Sequence, residues 1–146
     1  MALVSGTGTP NNGAGTYAAG DCMGGLQSFT NFVTAAGQSF TIRDVIWQDL
    51  INARPELTLL FLKSNPTSST FTDDNPAVLH ATDRNLLFHE EHIGPDDWVD
   101  CGTFAQFSAR SVGKTAFLTG TTLFVAAVLT KRCRWPSGTD NVRFTV

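Results

Sequence analysis

Apolar and polar residues alternate with a period near two along most of this chain, which is the signature of half-buried strands rather than helices. Residues 26–34 (LQSFTNFVT) place Phe29 and Val33 on one face and Leu26 and Phe32 on the other. Residues 39–48 (SFTIRDVIWQ) put Phe40, Ile42 and Ile46 on one side, with Thr41, Arg43, Val45 and Trp47 opposite. The segment from Asp44 to Ala53 also has helical spacing, but Val45, Ile46 and Trp47 favour a strand. Residues 57–62 are apolar everywhere except Thr58, the pattern of a central strand covered on both faces. Strands are predicted again over 85–92 and 97–109. A hairpin is predicted from 114–119 and 121–130, turning near Thr119-Gly120, and a closing strand over 141–146.

Punctuation separates these runs. Ala53-Arg54-Pro55, Asn65-Pro66, Gly94-Pro95 and Pro136-Ser137-Gly138 are turn signals. Asn75 followed by Pro76 has the form of a helix start, an N-cap oxygen before a proline, and predicts one short helical turn over 76–80. The expected fold is all-β: a single antiparallel β-sandwich, jelly-roll-like, of about eight strands. The first 20 residues carry no charge, five glycines and one proline, too little apolar surface to fold alone. They predict an extended glycine-rich arm over 1–25, leading into a sandwich domain over 26–146. Leu3, Val4 and Tyr17 are the arm's candidate anchors on a neighbouring molecule.

At 146 residues the chain fits one domain with a real core. Charged residues are only 16% of it, below the usual quarter, which suggests a surface partly covered by a partner. The net charge of −3 lacks the basic signature of nucleic-acid binding. Its distribution is uneven. Residues 73–100 hold eight acids against Arg84, whereas 101–146 hold six bases against Asp140. This asymmetry is neutralised either within the folded domain or between neighbouring subunits. Three cysteines without metal-like spacing read as free thiols in a cytosol-assembled protein. No signal peptide is expected at the N-terminus. The longest apolar run, 118–130, falls short of the roughly 20 residues a membrane helix needs.

The candidate chemistry is sparse, and no enzyme activity, cofactor or metal set is expected. Gly113-Lys114-Thr115 resembles the end of a phosphate loop, but position 108 is Ser and the residues after Thr115 read as strand. In His89-Glu90-Glu91-His92 a strand puts His89 and Glu91 on one face and Glu90 and His92 on the other, so they do not converge on a metal. Asp73, Asp74, Asp83, Asp96 and Asp97 sit at turns, where Asp binds backbone groups. Lys131, Arg132, Arg134 and Trp135 form a small basic-aromatic patch, with Arg132, Arg134 and Trp135 as candidate interface anchors. Trp47, Trp98 and Trp135 are the aromatics a carbohydrate-binding module would expose.

Residues 57–88 resemble a segment of small structural proteins of tailed bacteriophages. The likeness is carried by Leu59-Leu60-Phe61, by Asn65-Pro66-Thr67-Ser68-Ser69-Thr70-Phe71-Thr72-Asp73, by Asn75 with Val78-Leu79, and by Asp83 with Leu87. Trp98-Val99-Asp100 and the strand Leu123–Leu129 also suit it, so it spans roughly 26–146. The resemblance implies a virion structural protein, assembled in the host cytoplasm, that decorates and cements the capsid exterior. Its implied partners are the major capsid protein and its own copies, as a dimer or trimer, with no direct nucleic-acid or membrane contact. A tail or head–tail joining component is the alternative, and a carbohydrate-binding module a further one.

Overall fold

The computed structural model describes residues 7–8, 15–135 and 142–145. Within them the chain forms an antiparallel β-sandwich, as the alternation predicted. In chain order the strands are β1 (Thr7–Gly8), β2 (Gly15–Tyr17), β3 (Cys22–Phe29), β4 (Ser39–Asp49), β5 (Leu57–Leu62), β6 (Leu87–Ile93), β7 (Val99–Asp100), β8 (Ala105–Phe117), β9 (Leu123–Leu129), β10 (Cys133–Trp135) and β11 (Val142–Thr145). One layer has the order β1-β11-β4-β8-β7 and the other β3-β9-β5-β6, while β2 and β10 pair as a small ribbon.

β5 occupies the predicted residues 57–62 and lies between β9 and β6. Its inner-face residues Leu57, Leu59 and Phe61 are fully buried. Thr58 and Leu60, on the outer face, are half-buried. The core is completed from the opposite layer by Ile42, Val45 and Trp47 of β4, with Phe107 of β8. Ile42 and Val45 are an odd number of residues apart yet both point inward, because the β4–β8 register shifts between Ile42 and Asp44. That bulge is why Val45 and Trp47 share the buried side with Ile42, against simple alternation.

Three expectations are corrected. The turn over 76–80 is not helical. The backbone around Asn75-Pro76 bonds to distant segments instead: the Asn75 carbonyl accepts from Cys22 N–H at 2.8 Å, Ala77 N–H donates to the Gly20 carbonyl at 2.8 Å, and Thr70 and Val78 exchange two bonds at 2.9 Å. The short helical turns are 3-10 in type, at Arg84–Leu86 and Pro95–Asp97. The predicted 114–130 hairpin is also absent. β8 belongs to one layer and β9 to the other, so residues 118–122 carry the chain across the sandwich. The two layers hold nine strands among the described residues, in keeping with the about eight expected, and the β2/β10 ribbon adds two short ones.

The third correction concerns the arm. Its described portion is built into the body rather than set apart from it. β3 begins at Cys22 and pairs with β9, and Tyr17, Cys22 and Met23 are fully buried. Thr7 and Gly8 pair with Thr145 and Phe144. The rest of residues 1–14 lies outside the described residues.

Between β5 and β6 the chain makes a long excursion, residues 63–86, whose middle runs as a strap along the outer edge of β3. Leu26 N–H donates to the Phe71 carbonyl at 3.2 Å, and Asp74 N–H donates to the Cys22 carbonyl at 3.0 Å. Gly25 has φ +70, and a Cβ there would lie 3.4 Å from the Phe71 carbonyl oxygen, so the close approach favours glycine. An edge that would otherwise offer unpaired backbone groups is thereby covered.

Candidate interaction surface

Two aspartates hold the strap. Asp73 Oδ1 accepts the Tyr17 hydroxyl at 2.9 Å and the Gly24 N–H at 2.7 Å. The buried carboxylate of Asp83 accepts Ser68 N–H at 2.8 Å and the Ser69 hydroxyl at 2.7 Å. Ser69 Oγ in turn accepts His80 N–H at 3.0 Å. Both aspartates act as acceptors for local donors, the role that turn-positioned Asp was expected to play. Burial and then the Asp73 carboxylate push the Tyr17 phenol well above its ordinary range. The same burial pushes the Cys22 thiol up to about 12.

A second network ties together two loops at the end of the sandwich where β4 finishes and β8 begins. Asp49 is fully buried, and its carboxylate accepts Ile51 N–H at 3.1 Å and Arg54 N–H at 2.6 Å. Burial raises its pKa while these backbone donors oppose the rise. The tight turn puts Asn52 and Arg54 at φ +58 and +51. Asn52 Nδ2 then donates to Asp100 Oδ1 and to the Gly102 carbonyl, both at 3.1 Å, and the Arg54 guanidinium pairs with Asp100. Asp100 is held below the usual carboxylate range, chiefly by Gly102 N–H and then by Asn52 and Arg54. These braced loops present two apolar side chains to solvent, Leu50 at 43% and Val99 at 65% exposure. Leu50 follows β4 and Val99 lies on β7, two elements that the Asn52–Asp100 and Arg54–Asp100 contacts tie together.

The candidate residues fall into different places. Leu3 and Val4 lie outside the described residues. Tyr17 is not an anchor for a neighbour: it is 0% exposed and bound to the strap. Arg132 is exposed, beside Lys131, whose ammonium pairs with Glu56 at 2.6 Å. Arg134 and Trp135 lie on β10 opposite Thr16 and Gly15, with side chains outside the described residues. Two of the three aromatics proposed for sugar binding are withdrawn from the surface. Trp47 is 1% exposed, and Trp98 is buried with Nε1 donating to the Pro55 carbonyl at 3.1 Å.

The His89–His92 run divides between two faces, as the strand period required. His89 Nε2 lies 3.0 Å from Glu91 Oε2, and His92 faces Thr58 on the other side at 3.4 Å. Among the described residues no three His, Cys, Asp or Glu side chains gather as a metal site. Gly113-Lys114-Thr115 lies within β8 at the bulge, with Gly113 at φ +66. The braced pair of loops was missed from sequence. Asn52 is a residue that tolerates positive φ, but Arg54 carries no such signal, and the bond from its N–H to the buried Asp49 carboxylate accompanies that turn.

No family model, curated protein or solved structure matches the chain.

Proposed function

We propose that this chain is a structural protein of a tailed-phage virion that cements the outer surface of the head by binding the major capsid protein. The reading rests on the sequence resemblance of residues 57–88 to small phage structural proteins, and the positions of those residues support a structural role. Leu59 and Phe61 lie at the core, and the run from Asn65 to Asp83 forms the strap. Its polar groups are used to fasten β3, Gly24 and Tyr17, not to converge on a substrate. A body tied edge to core in this way suits a mechanical task. A rigid subunit loses little conformational entropy on binding, so more of its contact energy resists separation of capsomers. Several hundred Å² of apolar contact per copy, at about 25 cal/mol/Å², yields several kcal/mol before ordering costs.

The braced loops bearing Leu50 and Val99 are the capsid-facing surface in this reading. Deleting residues 1–20 would remove buried Tyr17 and is not a clean test. Leu50→Asp with Val99→Asp leaves the core untouched. The double variant is expected to bind purified phage heads at least about tenfold more weakly than the parent, with an unchanged unfolding midpoint. Gold-labelled protein should decorate heads across their surface. Label confined to the neck or tail would move the assignment to a joining or tail component, and absence of virion binding would end it.

A further inference from the structure

Among the described residues, one flank of the sandwich has two strand edges without a neighbouring strand. There β6 pairs with β5 alone. β8 pairs with β4 along its length, but β7 takes its other edge only at Ala105 and Gln106. Beyond Gln106 no strand lies beside that edge among the described residues. β6 and β8 approach each other across the two layers, so both free edges lie on the same flank. On the other flank the strap covers β3.

The two free edges carry opposite charge. β6, LFHEEHI, has two glutamates and no Lys or Arg; β8, AQFSARSVGKTAF, has Arg110 and Lys114 and no acid. Lys114 is exposed and forms no ion pair among the described residues, and Glu91 is half-buried with His89 Nε2 3.0 Å from its carboxylate. Register places Lys114 opposite Ile42 and Glu91 opposite Leu59, both core residues, so both charges sit on the interlayer side of their sheets. An edge can be guarded by charge of one sign, because a second copy meeting it edge to edge is repelled. Two edges of opposite sign on one flank do the reverse for a copy that meets them crosswise.

There are two ways for a pair of such flanks to meet about a two-fold axis. An axis perpendicular to the layers sets β6 against β6 and β8 against β8, with like charges facing. An axis parallel to the strands swaps the layers and sets β6 of each copy against β8 of the other. β6 and β8 run in opposite directions, since Ile93 and Ala105 lie at the end where β4 finishes, so the crosswise pairing is antiparallel. We propose that the β6/β8 flank is a self-association surface, and that two copies meet crosswise in this second way. The contact is isologous and closes at two. The bulge around residues 111–113 interrupts the β8 edge, so charge more than a continuous ladder selects the partner. This proposal stands apart from the capsid reading.

Sedimentation equilibrium of the full chain tests it. A dimer is expected that weakens as ionic strength rises. Glu91→Lys and Lys114→Glu should each weaken it by about tenfold or more, and the two reversals combined in one chain should restore it. Circular dichroism checks that each variant is folded. In a Cys101→Ser background, mixing Glu91→Cys chains with Lys114→Cys chains should give a cross-linked pair under mild oxidation that neither gives alone. A monomer, a larger oligomer, or a dimer indifferent to the single reversals overturns the proposal. So does a failure of the combined reversal to restore association, or cross-linking of either cysteine variant with itself.

Discussion

The hydroxyl of Tyr17 donates to Asp73 Oδ1 at 2.9 Å, joining residues 56 positions apart and fastening the short ribbon strand β2 to the strap. Removing the acceptor leaves the Tyr17 hydroxyl and the Gly24 N–H without it, and so costs more than removing the donor. Asp73→Ala should lower stability in urea by about 2–3 kcal/mol, and Tyr17→Phe by about 1 kcal/mol. Equal losses for the two variants would contradict Asp73 as the shared acceptor.

The same pair sets an alkaline limit. The folded phenol is raised above its unfolded value near 10, so its contribution to stability is complete below that pH and is lost as pH climbs toward the folded value. Tyr17 is the only tyrosine, so phenolate absorbance reports it alone. The signal should stay silent through the ordinary phenol range and then rise together with loss of secondary structure. A reversible titration near 10 in the folded protein would contradict the buried hydrogen bond.

Asp83 gives a separate measure of the strap. Asp83→Ala strands Ser68 N–H and the Ser69 hydroxyl, with an expected loss of about 1–3 kcal/mol. Limited proteolysis should then cut first within 63–86. First cleavage at the braced loops around Asn52 would place the weak point elsewhere.

The three thiols should react in a set order. Cys101 is exposed, Cys133 is half-buried with its pKa raised by burial and then by Asp49, and Cys22 is buried with a thiol near 12. Alkylation at mildly alkaline pH should modify Cys101 first and Cys133 slowly, leaving Cys22 intact until unfolding. Mass mapping of the modified peptides checks the order.

Phe61 is fully buried and stacks against His89 with ring centroids 5.3 Å apart. Phe61→Ala should cost about 3–5 kcal/mol by leaving a cavity in the core beneath the end of β5. A loss below about 1 kcal/mol would mean that the layer collapses to fill it.

How legible this molecule was depended on the range of the interaction. β5 could be read to the residue because six consecutive positions were almost wholly apolar. Val45, Ile46 and Trp47 decided correctly for strand over helix. The helical turn at Asn75-Pro76 failed because a local capping signature competes with bonds to Gly20 and Cys22, some 55 residues away. The hairpin failed because Thr119-Gly120 marks a reversal without saying which layer receives the next strand. Tyr17 was misplaced because glycine and alanine neighbours hide a core position whose partner, Asp73, is remote. The acidic and basic halves were visible as composition, but their arrangement as two edges of one flank comes only from strand order.

The pairing of Thr7 with Thr145 has a consequence for how the molecule is made. β4 accepts β11 on one side and β8 on the other, so its layer lacks a strand until residue 145 has left the ribosome. A nascent chain stalled before that point holds β4 with one long edge bare. Contacts this distant in sequence place folding in the slow, millisecond-to-second class. Newly made chains are thus exposed to mispairing in proportion to their concentration, a hazard that grows with the rate of synthesis.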